Sequence, residues 1–157
     1  MSDFTWSELQ QCLERAKAEF LKRDSYLLEV NANERSMTHK FAGYLQAQLP
    51  ALNVDCEYNR DGDVPKTLAW RSESSVRQDD EDATTVFPDI IVHRRGTQTN
   101  VLVLEAKKSG ADHREDLEKL EAFIRDEHYH YQFAARLMFI TGGLPDVEIE
   151  RIGTRGG

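Results

Sequence analysis

Three charged residues at the ends of two apolar segments are the most informative feature of this sequence. Asp89 follows Pro88 at the start of one segment, and Glu105 and Lys107 lie at the end of the next. Two neighbouring carboxylates repel each other unless a cation lies between them, and oxygen ligands favour Mg²⁺ or Mn²⁺. Such an ion polarises a phosphoryl oxygen and lowers the pKa of a bound water, while a nearby ammonium stabilises charge on the phosphate. These residue types therefore predict metal-assisted hydrolysis of a phosphate ester.

The two apolar segments, 87–95 and 100–107, predict strands that are joined by a short hairpin loop at 96–99. Because strand side chains alternate between faces, Glu105 and Lys107 share one face, about 6–7 Å apart along the strand. A mostly apolar strand thus ends in two charges on one side. The alternative is a solvent-facing ion pair between these two residues, worth about 0–1 kcal/mol.

Whether Asp89 lies close to Glu105 and Lys107 depends on the register of the hairpin. Pairing brings the start of the first strand beside the end of the second, and so brings Asp89 near Glu105. Strict pairing across the loop sets Asp89 opposite Ala106, which places its side chain on the other face. A shared face therefore requires a β-bulge or a loop that differs by one residue.

The remaining elements predict the framework that positions these residues. Apolar residues recur at helical spacing in three segments, about 6–22, 32–49 and 112–127. Two further segments predict strands, 54–60 and 133–141. The last strand–helix–strand passage needs a crossover, so its two strands should run parallel. The expected fold class is α/β, with a mixed central sheet of about four strands that is flanked by helices.

The length suits one domain over 1–157. Its core is expected over about 32–141, with the helix 6–22 as an N-terminal addition. The segment 142–157 contains five glycines, and a loose C-terminal tail is expected there.

The net charge of −8 weakens any picture of a DNA-coating protein, because backbone binding relies on Lys and Arg. Much of the acidic surplus lies in one run, Asp79 to Asp82, and a metal site itself needs carboxylates, so a nuclease is not excluded. The run belongs to the polar stretch 61–86, which predicts a flexible acidic loop, without regular structure over about 71–85.

Cysteines and terminal residues indicate the compartment. Cys12 and Cys56 are far apart and form no motif, which predicts reduced, packed thiols. The chain has no basic, apolar start of the signal-peptide type and no apolar run near the ~18 residues of a membrane span. A cytoplasmic location without membrane contact is expected.

Pro88-Asp89, followed after a gap by Glu105-Ala106-Lys107, resembles the motif of the PD-(D/E)xK nuclease superfamily. That superfamily includes restriction endonucleases and archaeal Holliday-junction resolvases. Its shared core of helix, three strands, helix and strand is similar to the order predicted above for the core of this chain. The resemblance implies a restriction-endonuclease-like sandwich.

The resemblance also implies roles for individual residues. Asp89, Glu105 and the backbone carbonyl of Ala106 would bind Mg²⁺ or Mn²⁺, and Lys107 would be the catalytic lysine. Many members place a further acidic residue on the helix before the first strand, and Glu34 fits that position.

Two interpretations of Glu34 stay open. On a helix it lies within about 20° of the apolar stripe formed by Phe41 and Leu45, so a carboxylate there would continue the buried face toward the site. Alternatively, Glu34 completes a capping box with Asn31 and has no part in the chemistry.

Four further cations are candidates for contacts with substrate phosphates: Arg94, Arg95, Lys108 and Lys119. A solvated hairpin tip explains the two arginines equally well, and Lys119 can instead form a helix-surface pair with Asp116. Glu57 is either a further ligand or a surface residue. His128 and His130 are interpreted as solvated loop residues.

Together these features predict a Mg²⁺-dependent nuclease that hydrolyses phosphodiester bonds of nucleic acid, with DNA the expected form. The alternative is a catalytically idle module on the same fold that binds nucleic acid or protein. Nucleic acid is the expected partner, and a homodimer or another protein partner stays open.

Overall fold

The structure, a computed structural model, describes residues 4–58, 67–68, 84–85 and 88–156. Within these ranges the chain forms three helices: α1 (Trp6–Glu29), α2 (Glu34–Gln48) and α3 (Arg114–Arg125). It also forms seven strands: β1 (Asn53–Cys56), β2 (Thr67–Leu68), β3 (Thr84–Thr85), β4 (Ile90–His93), β5 (Asn100–Lys108), β6 (Phe133–Ile140) and β7 (Asp146–Thr154). The predicted α/β class is therefore confirmed.

Helix α1 begins at a capping box. The hydroxyl of Thr5 accepts a hydrogen bond from the Glu8 backbone N–H, and the Glu8 carboxylate accepts one from the Thr5 N–H. The prediction that this helix ends near 22 is wrong, because α1 continues to Glu29 across a kink at Asp24 (φ −128°). The continuation is anchored by Leu28, which is fully buried.

Helix α2 begins at a different cap from the predicted one. The side chain of Asn33 accepts a hydrogen bond of 2.8 Å from the Ser36 N–H. Asn31 lies in the preceding turn with a φ of 52°, a left-handed conformation that asparagine tolerates better than most residues. The capping box of Asn31 with Glu34 is therefore wrong, and the Glu34 side chain is available for another contact.

Five strands form one mixed sheet in the order β1–β4–β5–β6–β7. β5 and β6 are parallel and are joined through α3, which confirms the predicted crossover, while the other neighbours are antiparallel. The sheet thus has one strand more than the four expected from the sequence.

The additional strand corrects the expectation of a loose C-terminal tail. β7 pairs with β6 along its length, and Val147 packs in the core with Ile149 against it. Gly142 and Gly143 have φ values of 76° and 91°, which suit the turn between the strands because glycine adopts positive φ without strain. These glycines mark a hairpin turn, and the alternating Val147 and Ile149 mark a strand.

The predicted acidic loop is described only in part. Inside it, Thr67–Leu68 pairs antiparallel with Thr84–Thr85, so the expectation of no regular structure is wrong at Thr84–Thr85. The run Asp79–Asp82 lies outside the described residues.

Helices cover both faces of the larger sheet. α1 and α2 pack on one face, where Leu102, Leu104 and Ala106 of β5 enter the larger apolar cluster. α3 packs on the other face, where Val103 contacts the cluster that contains Leu120. Because side chains alternate along β5, Glu105 and Lys107 follow Val103 onto the α3 face. Among the described residues, no helix is long and apolar enough to cross a bilayer.

Candidate active site

A β-bulge brings the two motif carboxylates onto one face of the hairpin. The register between β4 and β5 shifts between Val92 and His93. Ile90 pairs with Leu104, and Val92 pairs with Leu102. In the same register, the residue before Ile90 lies opposite the residue after Leu104, so Asp89 is set opposite Glu105 and not opposite Ala106. The sequence analysis required either a β-bulge or a loop that differs by one residue for these carboxylates to share a face. The bulge meets this requirement, because it adds one residue to one strand only.

Asp89 is held in place by the backbone of the neighbouring strand. Its Oδ2 atom accepts a hydrogen bond of 2.8 Å from the Ala106 N–H. Besides burial, Asp89 raises the pKa of the neighbouring Glu105 carboxyl group, which places the two carboxyl groups close together. The structure therefore joins Asp89 and Glu105 in one carboxylate pair at the end of β5.

Glu105 is a buried carboxylate with an incomplete set of partners. Its side chain is 2% exposed, and Oε1 lies 2.7 Å from Lys119 Nζ as an ion pair. No well-aligned hydrogen bond reaches this oxygen from the described residues. Burial raises the pKa of Glu105 well above its usual value; Lys119 opposes this rise and Asp89 adds to it. A positive charge near this carboxyl group would thus be strongly stabilising.

Lys107 lies among carboxylates on the same face. Its Nζ atom is 3.8 Å from Asp116 Oδ2. Burial lowers the pKa of Lys107, but Asp116, Glu34 and other nearby carboxylates more than offset this, so the net pKa is raised. The lysine is therefore a fixed positive charge, suited to stabilising an anion rather than to accepting a proton at neutral pH.

Asp116 of α3 forms an ion pair with Lys107. Burial raises the pKa of this carboxyl group, and Lys107 only partly reverses the rise. Its Oδ2 atom is buried and accepts no hydrogen bond from the described residues. The sequence offered a surface pair of Asp116 with Lys119, but the structure separates them: Asp116 pairs with Lys107, and Lys119 pairs with Glu105.

Glu34 reaches the same end of β5 from the opposite face of the sheet. Its Oε2 atom accepts a hydrogen bond of 3.3 Å from the Lys108 N–H, and its charge acts on Lys107. Of the two interpretations of Glu34, the structure favours the one directed toward the site. Glu34 and Asp89 also line a groove of about 430 Å³ beside the carboxylate pair.

The other candidate residues lie apart from this cluster. Arg95 pairs with Asp55 near the hairpin loop, at the end of β4 remote from Asp89. Arg94 is exposed in the same loop, and the Lys108 ammonium contacts the Asn31 carbonyl at 3.4 Å.

Glu57 and the histidines that follow α3 also lie outside the cluster. Glu57 is half-exposed and pairs with Arg35. His128 lies at the end of α3, where its backbone N–H donates to Asp126, and the exposed His130 is two residues further on.

The donor set fits a divalent cation of the Mg²⁺ type. Asp89 and Glu105 would hold it, with the Ala106 carbonyl as third donor, all oxygen ligands. The fit is supported by the buried Glu105 Oε1, which lacks a well-aligned donor among the described residues. In the described part of the chain, no group of three or more His, Cys, Asp and Glu side chains is arranged to hold a metal. A site here therefore relies on two side chains and the backbone.

Sequence reasoning missed the role of α3 in this cluster. Asp116 and Lys119 lie one helical turn apart, beside the buried Leu120 and Phe123, so their proximity to the apolar stripe was a signal that both face the sheet. Which strand residue each would meet depends on how the helix is placed, which the pattern does not contain.

The chain matches no protein-family model, no curated protein and no solved structure. Function is therefore argued from the site itself.

Proposed function

We propose that this protein is a metal-dependent nuclease of the PD-(D/E)xK type, which hydrolyses phosphodiester bonds of nucleic acid with Mg²⁺ or Mn²⁺. The observation that carries the proposal is the bulged register that sets Asp89 beside Glu105, with Lys107 following on the same face. Asp89, which is distant in sequence from Glu105 and Lys107, thereby joins these two charges at one end of the hairpin.

Each residue has a role that follows from its surroundings. Asp89 and Glu105 bind the divalent ion, which when bound supplies charge neutralisation and polarises a phosphoryl oxygen. Lys107 keeps its proton because carboxylates surround it, and it stabilises the negative charge that grows on the phosphate in the transition state. Asp116 holds Lys107 from α3, and Glu34 adds a carboxylate from α2.

The topology is consistent with this proposal. When the separate β2–β3 pair is set aside, the order α2, β1, β4, β5, α3, β6 is similar to the helix, three strands, helix and strand of that superfamily's core. We propose the restriction-endonuclease-like fold on this basis, with β7 as an addition at the edge of the sheet. DNA remains the expected substrate.

A cleavage assay with paired variants tests the proposal. Single- and double-stranded DNA and RNA are incubated with the wild-type protein, with and without Mg²⁺ or Mn²⁺, beside Asp89→Asn and Asp112→Asn. Asp112 is exposed and pairs with Arg114, away from the site, so its variant should cut as the wild type does. Metal-dependent cleavage that is lost only in Asp89→Asn supports the proposal. No cleavage of any nucleic acid by metal-loaded wild type would reject it.

The alternative is a binding module whose site is idle. It is favoured by one observation, that the Lys119 ammonium lies 2.7 Å from Glu105 Oε1 and forms an ion pair with this carboxylate. Metal binding separates the two proposals, because an idle module has no need to bind Mg²⁺ at Asp89 and Glu105. Calorimetric titration of Mg²⁺ into wild type and Asp89→Asn provides that measurement.

A further inference from the structure

Helix α3 directs two charged side chains toward the end of β5. Leu120 and Phe123 are buried in the apolar cluster and orient the helix, so that Asp116 and Lys119 face the sheet. The side chain of Lys119 is only 14% exposed. Lysines are rarely buried to this extent unless they are paired, so the ion pair with Glu105 is what accounts for the burial of Lys119.

The charges of α3 and β5 pair crosswise. Lys119 Nζ lies 2.7 Å from Glu105 Oε1, whereas Lys107 Nζ lies 3.8 Å from Asp116 Oδ2. The closer ion pair is thus made with the proposed metal ligand. Lys119 thus approaches the carboxylate pair from the side of α3 and neutralises Glu105 as a bound metal ion would.

The cluster carries an excess of negative charge. Four carboxylates act on Lys107, and Lys119 is the second ammonium, at Glu105. When all six groups are ionised, the described residues of the cluster carry two surplus negative charges. One divalent cation would neutralise them, but it would lie close to an ammonium that repels it.

We propose that Lys119 is a built-in counter-cation of the metal site, which neutralises Glu105 while no metal is bound and which a divalent cation displaces from that carboxylate. The inference rests on the proposed function, because it takes Asp89 and Glu105 as the metal ligands. A lysine displaced in this way keeps its positive charge at the edge of the site, on the side from which an anionic phosphate of the substrate would be attracted.

Mg²⁺ titration of lysine variants tests this competition without any nucleic acid. Lys119→Met removes the ammonium, Lys119→Gln removes the charge but keeps a hydrogen-bond donor for Glu105, and Lys17→Met is the matched control. The Lys17 ammonium pairs with Asp146 and not with the carboxylate pair. By calorimetry at pH 8, both Lys119 variants should bind Mg²⁺ at least about tenfold more tightly than wild type, or ~1.4 kcal/mol, and Lys17→Met should differ by less than about threefold, or ~0.7 kcal/mol.

Thermal melting gives a second readout. Without metal, Lys119→Met should melt below wild type, because a buried carboxylate loses its partner. Saturating Mg²⁺ should raise the Tm of this variant by more than it raises that of wild type. If Lys119→Met does not fold, Lys119→Gln carries the comparison.

The outcomes separate the inference from the function on which it rests. Equal Mg²⁺ affinity in wild type and the Lys119 variants, with only the Tm lowered, would make Lys119 a structural support and overturn the inference, while the metal site would stand. Weaker Mg²⁺ binding in both Lys119 variants would also overturn it. No Mg²⁺ binding by any form of the protein would overturn the proposed function as well.

Discussion

Two groups of charged residues lie at opposite ends of β4, on the same face of the sheet, and they differ in how well their polar atoms are satisfied. At the hairpin end, His93 Nε2 lies 2.7 Å from Asp55 Oδ2, and the Arg95 guanidinium binds both oxygens of that carboxylate. At the other end, Glu105 Oε1 and Asp116 Oδ2 are buried and face lysines, but no well-aligned hydrogen bond reaches either oxygen from the described residues.

The pKa directions express the same difference. Burial alone would raise the pKa of Asp55, but hydrogen bonds from Arg95 and His93 more than offset it, and the net pKa is lowered. Burial raises the pKa of Glu105 and Asp116, and their lysine partners do not reverse the rise. The group around Asp55 therefore stabilises the folded protein. The group around Glu105 and Asp116 holds carboxylates whose ionised forms are destabilised by burial, which is common at functional sites.

The largest expected effect concerns activity at the unsatisfied end. Lys107→Ala should lower cleavage by about 10²–10³, because one donor that stabilises transition-state charge is typically worth roughly 3–4 kcal/mol. Mg²⁺ affinity should change little, since Lys107 lies near the end of β5 and is about one third exposed. The Tm should fall only slightly, because Asp116 loses an ion-pair partner at 3.8 Å.

The test of Lys107 combines a nuclease assay, a metal titration and a melting curve. Lys17→Ala is the control, since Lys17 pairs with Asp146 of β7 far from the site. Equal cleavage by wild type and Lys107→Ala would remove the catalytic assignment of this lysine.

The next effect concerns stability at the satisfied end. Asp55→Ala leaves the buried His93 without its acceptor and should lower the free energy of unfolding by about 1–3 kcal/mol. Since the pKa of Asp55 is lowered in the folded state, its stabilising contribution is present above the unfolded pKa and is lost as pH falls through the folded value.

Urea unfolding at neutral pH and in acid measures this contribution. Asp146→Ala, which removes a half-exposed carboxylate paired with Lys17, should cost less than about 1 kcal/mol. Asp55→Ala should leave Mg²⁺ affinity unchanged, because Asp55 pairs with His93 at the end of β4 remote from Asp89 and Glu105. A loss of Mg²⁺ affinity in this variant would contradict that expectation.

A smaller effect of opposite sign is expected for Asp116→Asn. The amide removes a buried charge, so the metal-free protein should become more stable at neutral pH, by on the order of 1 kcal/mol. Because the folded-state pKa of Asp116 is raised, the favourable contribution of wild-type Asp116 is complete below its unfolded pKa and is lost as pH rises through the folded value.

The stability gap between Asp116→Asn and wild type should therefore widen as pH rises from about 4 and then level off. Melting curves across this range measure the gap, with Asp112→Asn, just before the start of the same helix, as the exposed control. A stability difference that does not change with pH would show that burial of the Asp116 carboxylate does not destabilise the folded protein.

The smallest effect is expected for Glu34→Gln. The amide oxygen can still accept from the Lys108 N–H, but the negative charge near the site is lost, so Mg²⁺ affinity should fall about threefold, or ~0.7 kcal/mol. The matched control is Glu57→Gln, because Glu57 lines the same groove but pairs with Arg35. Unchanged Mg²⁺ affinity in Glu34→Gln would return Glu34 to a purely structural role.

Much of the site follows from local patterns. Alternation along β5 puts Glu105 and Lys107 on one face, and the hairpin brings Asp89 to the same end. The C-terminal strand was missed because glycine content outweighed the alternation of Val147 and Ile149. The added β7 covers β6 and thereby enlarges the core beyond what the sequence predicted.

The pairing of charges across the site could not be predicted in the same way. Strand and helix periods arise from backbone geometry within a few residues, so the sequence by itself determined which face each charged residue occupies on its own element. The bulge, the reach of Glu34 to Lys108 and the contact of Lys119 with Glu105 arose only in the tertiary structure. These contacts depend on the register and rotation of whole elements, which are decided by packing of the apolar core, where a shift of one residue exchanges the partner of every charge.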